Sequence, residues 1–354
     1  MADYKEAGVD ITAGDAASKI AYKLARSTFC ARAGMIGEPV TDEGSFAGML
    51  DLGDFYLVQG DDGVGTKIEI AQEIGKYDTL GYDLLAMVCD DAICLGAETI
   101  SITNTLDTNK VDAAVIEQLL QGLAKACLEQ KIVIPGGEIA EVGSSVNGNV
   151  WNATAVGIVQ KERVINGKDI RIGDKIIALP EPGFRSNGFT LVRYILEQKF
   201  GKDLYRQASP FGCSWGEALL TPSTIYSAAI LDLVGRFEQP RKYEIKGIAH
   251  ITGGGIPGNF KRILNSNLGA KFDNLFAPSE LVKEIQKIGA VAEAEAYKTW
   301  NMGNGMMLVV APEIADQVLN ALQIPAKIVG EIIPTKEIII DSCGNEPQQL
   351  IFPI

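Results

Sequence analysis

Eight residues, Gly60-Asp61-Asp62-Gly63-Val64-Gly65-Thr66-Lys67, join two adjacent carboxylates, three glycines and a lysine in one short stretch. Glycines let backbone N–H groups come close to a phosphate, and the lysine adds positive charge. The two acids would repel a bare phosphate, so a cation such as Mg2+ must lie between them. Together these residue types suggest a metal–nucleotide site. The plainer alternative is a tight acidic turn with a surface lysine. The order is Thr-Lys rather than Lys-Ser/Thr, and the two acids are foreign to a Walker A loop, so a P-loop NTPase is rejected.

Further polar clusters have the same character. Asp83 and Asp90 are seven residues apart on a predicted helix over Asp78–Leu95, and so share a face. With Asp91 they place negative charge near a helix C-terminus, against the dipole, which a nearby cation would offset; plain solvent exposure is the competing reading. Gly183-Phe184-Arg185-Ser186-Asn187-Gly188 precedes a predicted helix over Phe189–Gln198. Its free N–H groups and Arg185 make an anion site, unless Ser186 or Asn187 simply caps the helix. His250-Ile251-Thr252-Gly253-Gly254-Gly255-Ile256-Pro257-Gly258 contains GxGxxG. A Rossmann site is disfavoured, because the motif lies in the second half with no clean βαβ unit and acid around it. Asn301-Met302-Gly303-Asn304-Gly305-Met306 is a glycine-punctuated turn before an apolar strand.

The elements that must hold these residues alternate between strand and helix. Phe55–Val58 reads as a buried strand and Ile68–Ile74 as a helical turn or two. Residues 16–29 read as helix and 31–50 as a mobile loop. Asp78 can cap the helix that follows it, and Asp112 opens a helix over Ala113–Gln130. Glu98–Thr105, Ile132–Ile134 and Val150–Val159 read as strands, the second ending at Pro135-Gly136-Gly137-Glu138. The charged, glycine-containing segment Gln160–Gly173 marks a domain boundary. Beyond it come a strand at Lys175–Leu179, helices at Phe189–Gln198 and Thr224–Phe237, then strand, helix and strand toward Val310. The order βαβ in both halves predicts an α/β or α+β protein of two domains, 1–165 and 166–354.

Composition narrows the partners. The 354 residues are 47% hydrophobic with a net charge of −13. That charge argues against general binding to nucleic acid or an anionic membrane. No apolar run is long enough to span a bilayer, and Met1–Glu6 lacks a signal-peptide core. Six cysteines occur without a CxxC pair, which predicts reduced thiols and a cytoplasmic location. The single histidine, His250, removes His-rich zinc sites and disfavours a Ser-His-Asp triad.

These motifs, in this order, resemble the aminoimidazole ribonucleotide synthetase (phosphoribosylformylglycinamidine cyclo-ligase) family. The resemblance runs from Tyr4-Lys5-Glu6-Ala7-Gly8-Val9-Asp10-Ile11 to about Ile333. It takes in Asp62–Lys67, Asp78–Leu84, Gly96-Ala97-Glu98, Gly136-Gly137-Glu138, Ser186–Arg193, Ala249–Gly255 and Asn301–Met306. It implies two α/β domains and a homodimer whose N-terminal sheets pack into a shared barrel. It also implies ATP-dependent closure of the imidazole ring of formylglycinamidine ribonucleotide, with ATP and Mg2+ on the N-terminal domain. Asp62, Asp78 and Asp91 would hold magnesium. Gly63, Gly65, Thr66, Lys67 and Glu138 would meet the nucleotide. Ser186, Asn187, His250 and Thr252 would line the substrate side.

The chain departs from the family pattern at several of these places. Arg185 stands where the family usually has His, and Thr224 where it has Arg. Asp90-Asp91 replaces Asn-Asp, Thr103-Asn104-Thr105 replaces Leu-Asp-Tyr, and Gly258-Asn259 replaces Glu-Asn. Arginine is no general base, but it can grip a phosphate with two parallel hydrogen bonds. Arg185 is therefore expected to bind an anionic part of the substrate or the phosphate formed, with proton transfer left to His250, a carboxylate or water. The alternatives are a catalytically silent nucleotide-binding relative or another ATP-dependent activity of the superfamily. Selenophosphate synthetase and thiamine-monophosphate kinase fit the motifs less well.

Overall fold

The computed structural model describes residues 11–41, 44–265 and 267–354; the motif residues Tyr4–Asp10 lie outside them. Two sheets organise the chain. The first is built from β1 (Glu38–Pro39), β2 (Gly48–Asp51), β3 (Phe55–Gly63), β4 (Glu98–Thr108), β5 (Val133–Glu141) and β6 (Asn149–Gln160), in the order β1-β2-β3-β6-β4-β5. Its helices are α1 (Ile11–Arg26), α2 (Lys67–Ile74), α3 (Leu80–Ile93) and α4 (Ala113–Gln130). The second is built from β7 (Lys175–Pro180), β8 (Ile245–His250), β9 (Gly269–Phe272), β10 (Asn304–Val310), β11 (Lys327–Ile333), β12 (Glu337–Asp341) and β13 (Gln349–Pro353). Its order is β13-β12-β9-β11-β7-β10-β8. It carries α5 (Phe189–Phe200), α6 (Trp215–Leu219), α7 (Ser227–Val234), α8 (Gly255–Phe260), α9 (Glu280–Ile288), α10 (Glu293–Thr299) and α11 (Ala315–Ala321).

Both sheets are mostly antiparallel. The parallel pairs are β4 with β5, joined through α4, and β12 with β9. A mixed α+β architecture of two sheets is thus the observed form of the predicted class. The glycine motif after β8 follows a strand in an antiparallel sheet, so it lacks the parallel βαβ frame of a dinucleotide fold.

Local chemistry explains the best-placed element. Asp112 caps α4 by accepting from the N–H groups of Ala114 and Val115, and Lys131 ends it in the left-handed region. Leu119, Leu123 and Cys127 form its buried face. Elsewhere the elements run further than propensity indicates. β3 extends through Asp61, Asp62 and Gly63, because the long strand β6 pairs with it residue by residue as far as Asn152. The acids therefore lie on a strand end, not in a turn. β5 likewise runs straight through Gly136-Gly137-Glu138, carried by its parallel partner β4. The segment expected to be a mobile loop holds β1 and β2, which pair with each other, and β2 continues the ladder onto β3. Asp78 does not cap α3; Thr79 takes that position without a side-chain bond.

The core is continuous between the halves. α3 packs on β3 and β6 on one side and on α7 and β8 on the other. Close approach decides one glycine here: a Cβ on Gly81 would fall 2.0 Å from the backbone nitrogen of Leu123, so only glycine lets α3 meet α4. Among the described residues no helix is long and apolar enough to cross a membrane, and all six cysteines are free thiols.

Candidate active site where the two sheets meet

Three loops of the second sheet converge because their strands are neighbours. Register pairs Asn304 with Pro180 and Met306 with His250, so β7 and β8 end beside the start of β10. The turn after β7, the glycine loop after β8 and the turn before β10 thus share one sheet end. Asn301 ties two of them by donating from Nδ2 to the Gly183 carbonyl at 2.9 Å. Asn259 pins the glycine loop, donating to the carbonyls of Thr252, Gly253 and Gly255. In the Gly258-Asn259 pair the departure from the family's Glu-Asn is Gly258; Asn259 keeps the family residue, and its signal is a polar residue inside a short apolar helix.

The first half contributes the C-terminal end of α3 and the acidic end of β3. Asp91 Oδ1 lies 2.8 Å from His250 Nδ1. His250 is fully buried, and that burial, aided by Arg185, holds its pKa well below the ordinary value. The imidazole is therefore neutral at physiological pH. With Nδ1 protonated and donating to Asp91, Nε2 is free to accept a proton. Among the described residues Nε2 has no protein partner, and neither have the buried atoms Ser186 Oγ and Asn187 Oδ1. An orphaned buried polar atom costs about 1–3 kcal/mol. Three at one sheet end, from the last residue of β8 and the turn before α5, mark a surface built to meet a polar molecule. The halves touch here, since a Cβ on Gly65 would lie 3.3 Å from the Ser186 carbonyl; within the second half, one on Gly253 would lie 3.7 Å from Asn187 Nδ2. Thr66 Oγ1 and Thr190 Oγ1 are 3.3 Å apart.

Asp62 projects toward the helix-covered side of its sheet, in a row with Ala153 and Asn104. It keeps contact with solvent, but surrounding protein displaces enough water to push its carboxyl up to about 6, and Asp91 and Asp61 add repulsion. Burial pushes Asp91 up to about 7, against the pull of Arg262. Raised carboxyl values have a definite thermodynamic sign: the folded state holds these protons more tightly than the unfolded chain. Stability from the two groups is therefore full below about pH 4 and is lost as pH rises through 6 to 7. The expected result is a thermal midpoint for the nucleotide-free protein that declines over this window, with a shallower decline in Asp62→Asn. An equal slope in both proteins would contradict the assignment.

Several expected site residues sit elsewhere. Asp78 is exposed and precedes α3, whereas Asp91 is near its far end, roughly 20 Å away at 1.5 Å per residue. Among the described residues no three acids, histidines or cysteines converge on a point that could hold a metal. The charge of Asp91 is felt at Asp62, and magnesium commonly takes one or two carboxylates plus phosphate oxygens. Glu138 is exposed on β5, in a row with Thr105, Asn152 and Gly63, and so faces the side of the sheet opposite Asp62. Gly63 is a packing requirement, since a Cβ there would strike Asn152 and the Trp151 carbonyl.

Lys67 and Arg185 are the clearest corrections. Lys67 is fully buried, paired with Asp83 at 2.8 Å and donating to the Thr221 carbonyl at 2.7 Å. No exposed charge is left for a phosphate. Arg185 is also fully buried, paired with Asp90 and Glu181 at 2.8 Å each. It donates to the Thr224 carbonyl as well, and lies over the Tyr226 ring. Desolvation opposes the charged guanidinium, but Glu181, Tyr226 and Asp90 overcome it and raise its pKa. Asp83 and Asp90 do share a face, as their spacing predicts. That face is buried, and the cations offsetting it are Lys67 and Arg185 themselves. Asn104 accepts from Trp151 Nε1 at 3.0 Å, a packing role. Arg262 carries no motif signature. It donates to the carbonyls of Gly44 and Ser45 and stacks 3.7 Å over the Phe46 ring, latching the N-terminal segment beside Asp91.

Comparison with known proteins identifies the family and the fold. The family description "AIR synthase related protein, N-terminal domain" matches residues 44–159, and its C-terminal counterpart matches 171–342. A phosphoribosylformylglycinamidine cyclo-ligase of Sorangium cellulosum is 36% identical over 345 residues, covering 95% of this chain and 96% of that protein. One of Acetivibrio thermocellus is 38% identical over 348 residues, covering 95% and 98%. Among solved structures, the HypE–HypF complex superposes with a TM-score of 0.61 at 18% identity over 88% of this chain and 95% of that one. The ThiL protein complexed with AMPPCP and TMP gives 0.57 at 14% identity over 87% and 91%. These structural likenesses speak for the fold, and the family matches with the near full-length relatives establish that the chain belongs to the AIR synthase related family, among its phosphoribosylformylglycinamidine cyclo-ligases.

Proposed function

We propose that this chain is an ATP-dependent C–N ligase, a phosphoribosylformylglycinamidine cyclo-ligase of purine biosynthesis. It closes the imidazole ring of formylglycinamidine ribonucleotide to give aminoimidazole ribonucleotide, ADP and phosphate. The observation that carries the reading is the group of unpartnered buried atoms, His250 Nε2, Ser186 Oγ and Asn187 Oδ1, beside the acidic strand end. The ring closes when the γ-phosphoryl group of ATP moves to the formyl oxygen. A substrate nitrogen then attacks that carbon, and the oxygen departs with phosphate. This nitrogen must shed a proton, and neutral His250 has a free Nε2 to take it. Asp91 holds the ring in the tautomer this needs. Ser186 and Asn187 orient the substrate, and the rate gain comes chiefly from positioning.

ATP is assigned to the first half, along Asp62, Gly65 and Thr66. Proteins of similar fold solved with ATP or with AMPPCP support nucleotide binding by such a fold. Magnesium fits Asp62 and Asp91, which crowd one another's charge, and when bound it would neutralise the phosphate oxygens. Asp78 is left out of that set, and Lys67, Glu138 and Arg185 out of direct ligand contact. The domain boundary is placed at residue 165, between the last strand of one sheet and the first of the other. A cytoplasmic location is part of this reading, and the unpaired thiols are compatible with it. ADP release should depend on added formylglycinamidine ribonucleotide; release at the same rate without it would contradict the assignment.

The active form is proposed to be a homodimer whose first sheets close into a shared barrel. Supporting it, β5 is an edge strand, and Ile100, Val133, Ile139 and Val150 leave 40%, 62%, 42% and 41% of their surface exposed. Light scattering at micromolar concentration should give twice the chain mass of 37.9 kDa. A clean monomer would refute the dimer.

A further inference from the structure

Arg185 has an unusual set of properties for a residue in a substrate loop. It is fully buried, yet its backbone lies in the left-handed region at φ 58°, which a bulky residue adopts only when its surroundings enforce it. The enforcement is visible. Nη2 donates to Asp90 Oδ2 at 2.8 Å, and Nη1 donates to Glu181 Oε2 and to the Thr224 carbonyl, both at 2.8 Å. Asp90 in turn accepts from the N–H groups of Tyr226 and Ser227, each at 3.0 Å, at the start of α7. Glu181 accepts from the Tyr226 hydroxyl at 3.0 Å. One guanidinium thus joins α3 of the first half, the end of β7 and the segment leading into α7. The next two residues along the chain are Ser186 and Asn187, whose Oγ and Oδ1 are the orphaned atoms of the site.

We infer that Arg185 is a positioning residue: by bridging Asp90 and Glu181 it fixes the left-handed turn that aims Ser186 and Asn187 at the substrate, and makes their placement depend on α3 of the other half. A guanidinium suits the task because its planar fork reaches both carboxylates at once, which a lysine ammonium cannot do with the same geometry. The arrangement deepens the proposed function and rests on it for the identity of the substrate, but not for the local order of the turn.

The test separates these two. Breaking one member of a buried charge network leaves uncompensated charge, so the first variant is the neutralised triple Asp90→Asn/Glu181→Gln/Arg185→Met, and the second is Arg185→Lys. Hydrogen–deuterium exchange is followed amide by amide, alongside kcat and KM for both substrates. In the triple variant, amides of residues 183–188 should exchange about tenfold faster or more while those of β7 and β8 keep the parent rate. The value of kcat/KM for formylglycinamidine ribonucleotide should fall about 10²-fold, with KM for ATP within about twofold of the parent. Arg185→Lys should lie between the two, and it decides by the same readouts if the triple variant does not fold. Unchanged exchange at 183–188 overturns the inference, as does faster exchange spread evenly over the chain. If the parent itself does not turn over this substrate, the proposed function fails, and the exchange pattern still decides the role of Arg185.

Discussion

Asp62→Asn should lower ATP turnover about 10²-fold or more while leaving the fold intact. Asp62 lies near the end of β3 beside the glycines that lead into α2, and the charge of Asp91 raises its pKa. One carboxylate withdrawn from a cation that offsets phosphate charge removes several kcal/mol of transition-state stabilisation, by the magnitudes general to such sites. The same substitution should raise the thermal midpoint of the nucleotide-free protein at pH 8. There the parent carries two crowded anions, whereas the variant carries one. Normal turnover at saturating Mg2+ would remove Asp62 from the site, and a lower midpoint at pH 8 would mean that the carboxylate is structurally paired.

The variant separates two kinds of acid that look alike in the sequence. Asp62, Asp83, Asp90 and Asp91 all sit in glycine-rich or apolar surroundings, and all suggested a cation. For Asp83 and Asp90 the cation is a side chain of the chain itself. Their seven-residue spacing disclosed a shared helix face. It could not disclose that Lys67 and Arg185, 16 and 95 residues away, complete the pairs. Ion pairs across such separations are set by tertiary packing, which local pattern does not encode. The same limit explains β3 and β5. Glycines and acids read as turns on their own, but long neighbouring strands drew them into the ladder. Elements whose signals are local were placed well, as with the Asp112 cap and the α4 face. The loop of Ser186 and Asn187 was legible as a polar, glycine-flanked turn ahead of a helix, whereas grouping it with His250, the last residue of β8, came from the family resemblance and not from spacing. The latch by Arg262 was not, having no spacing to reveal it.

His250→Gln is the second large effect. Glutamine can still bond to Asp91 and fills similar space, but its amide cannot accept a proton. Loss of a positioned general base costs about 10²- to 10⁴-fold, so kcat should fall by that range with KM for ATP little changed. The pH profile adds a sign. Burial holds the His250 pKa well below 6.5, so the imidazole stays neutral as pH drops through 6.5. With saturating Mg2+ and ATP, kcat in the parent should show no inflection at the ordinary histidine value. A full unit-slope loss centred at 6.5 would mean that His250 is solvated and titrates freely, and activity retained in His250→Gln would assign the proton to another group.

The formyl oxygen of the substrate is expected to leave as phosphate after phosphoryl transfer from ATP. Formylglycinamidine ribonucleotide labelled with oxygen-18 at the formyl group, incubated with the purified protein, ATP and Mg2+, tests it in one mass-spectrometric measurement. The expected result is aminoimidazole ribonucleotide as product and the heavy oxygen in inorganic phosphate, one atom per ring closed. Ring closure with the label released to water, or ATP hydrolysis with no aminoimidazole ribonucleotide formed, would contradict it.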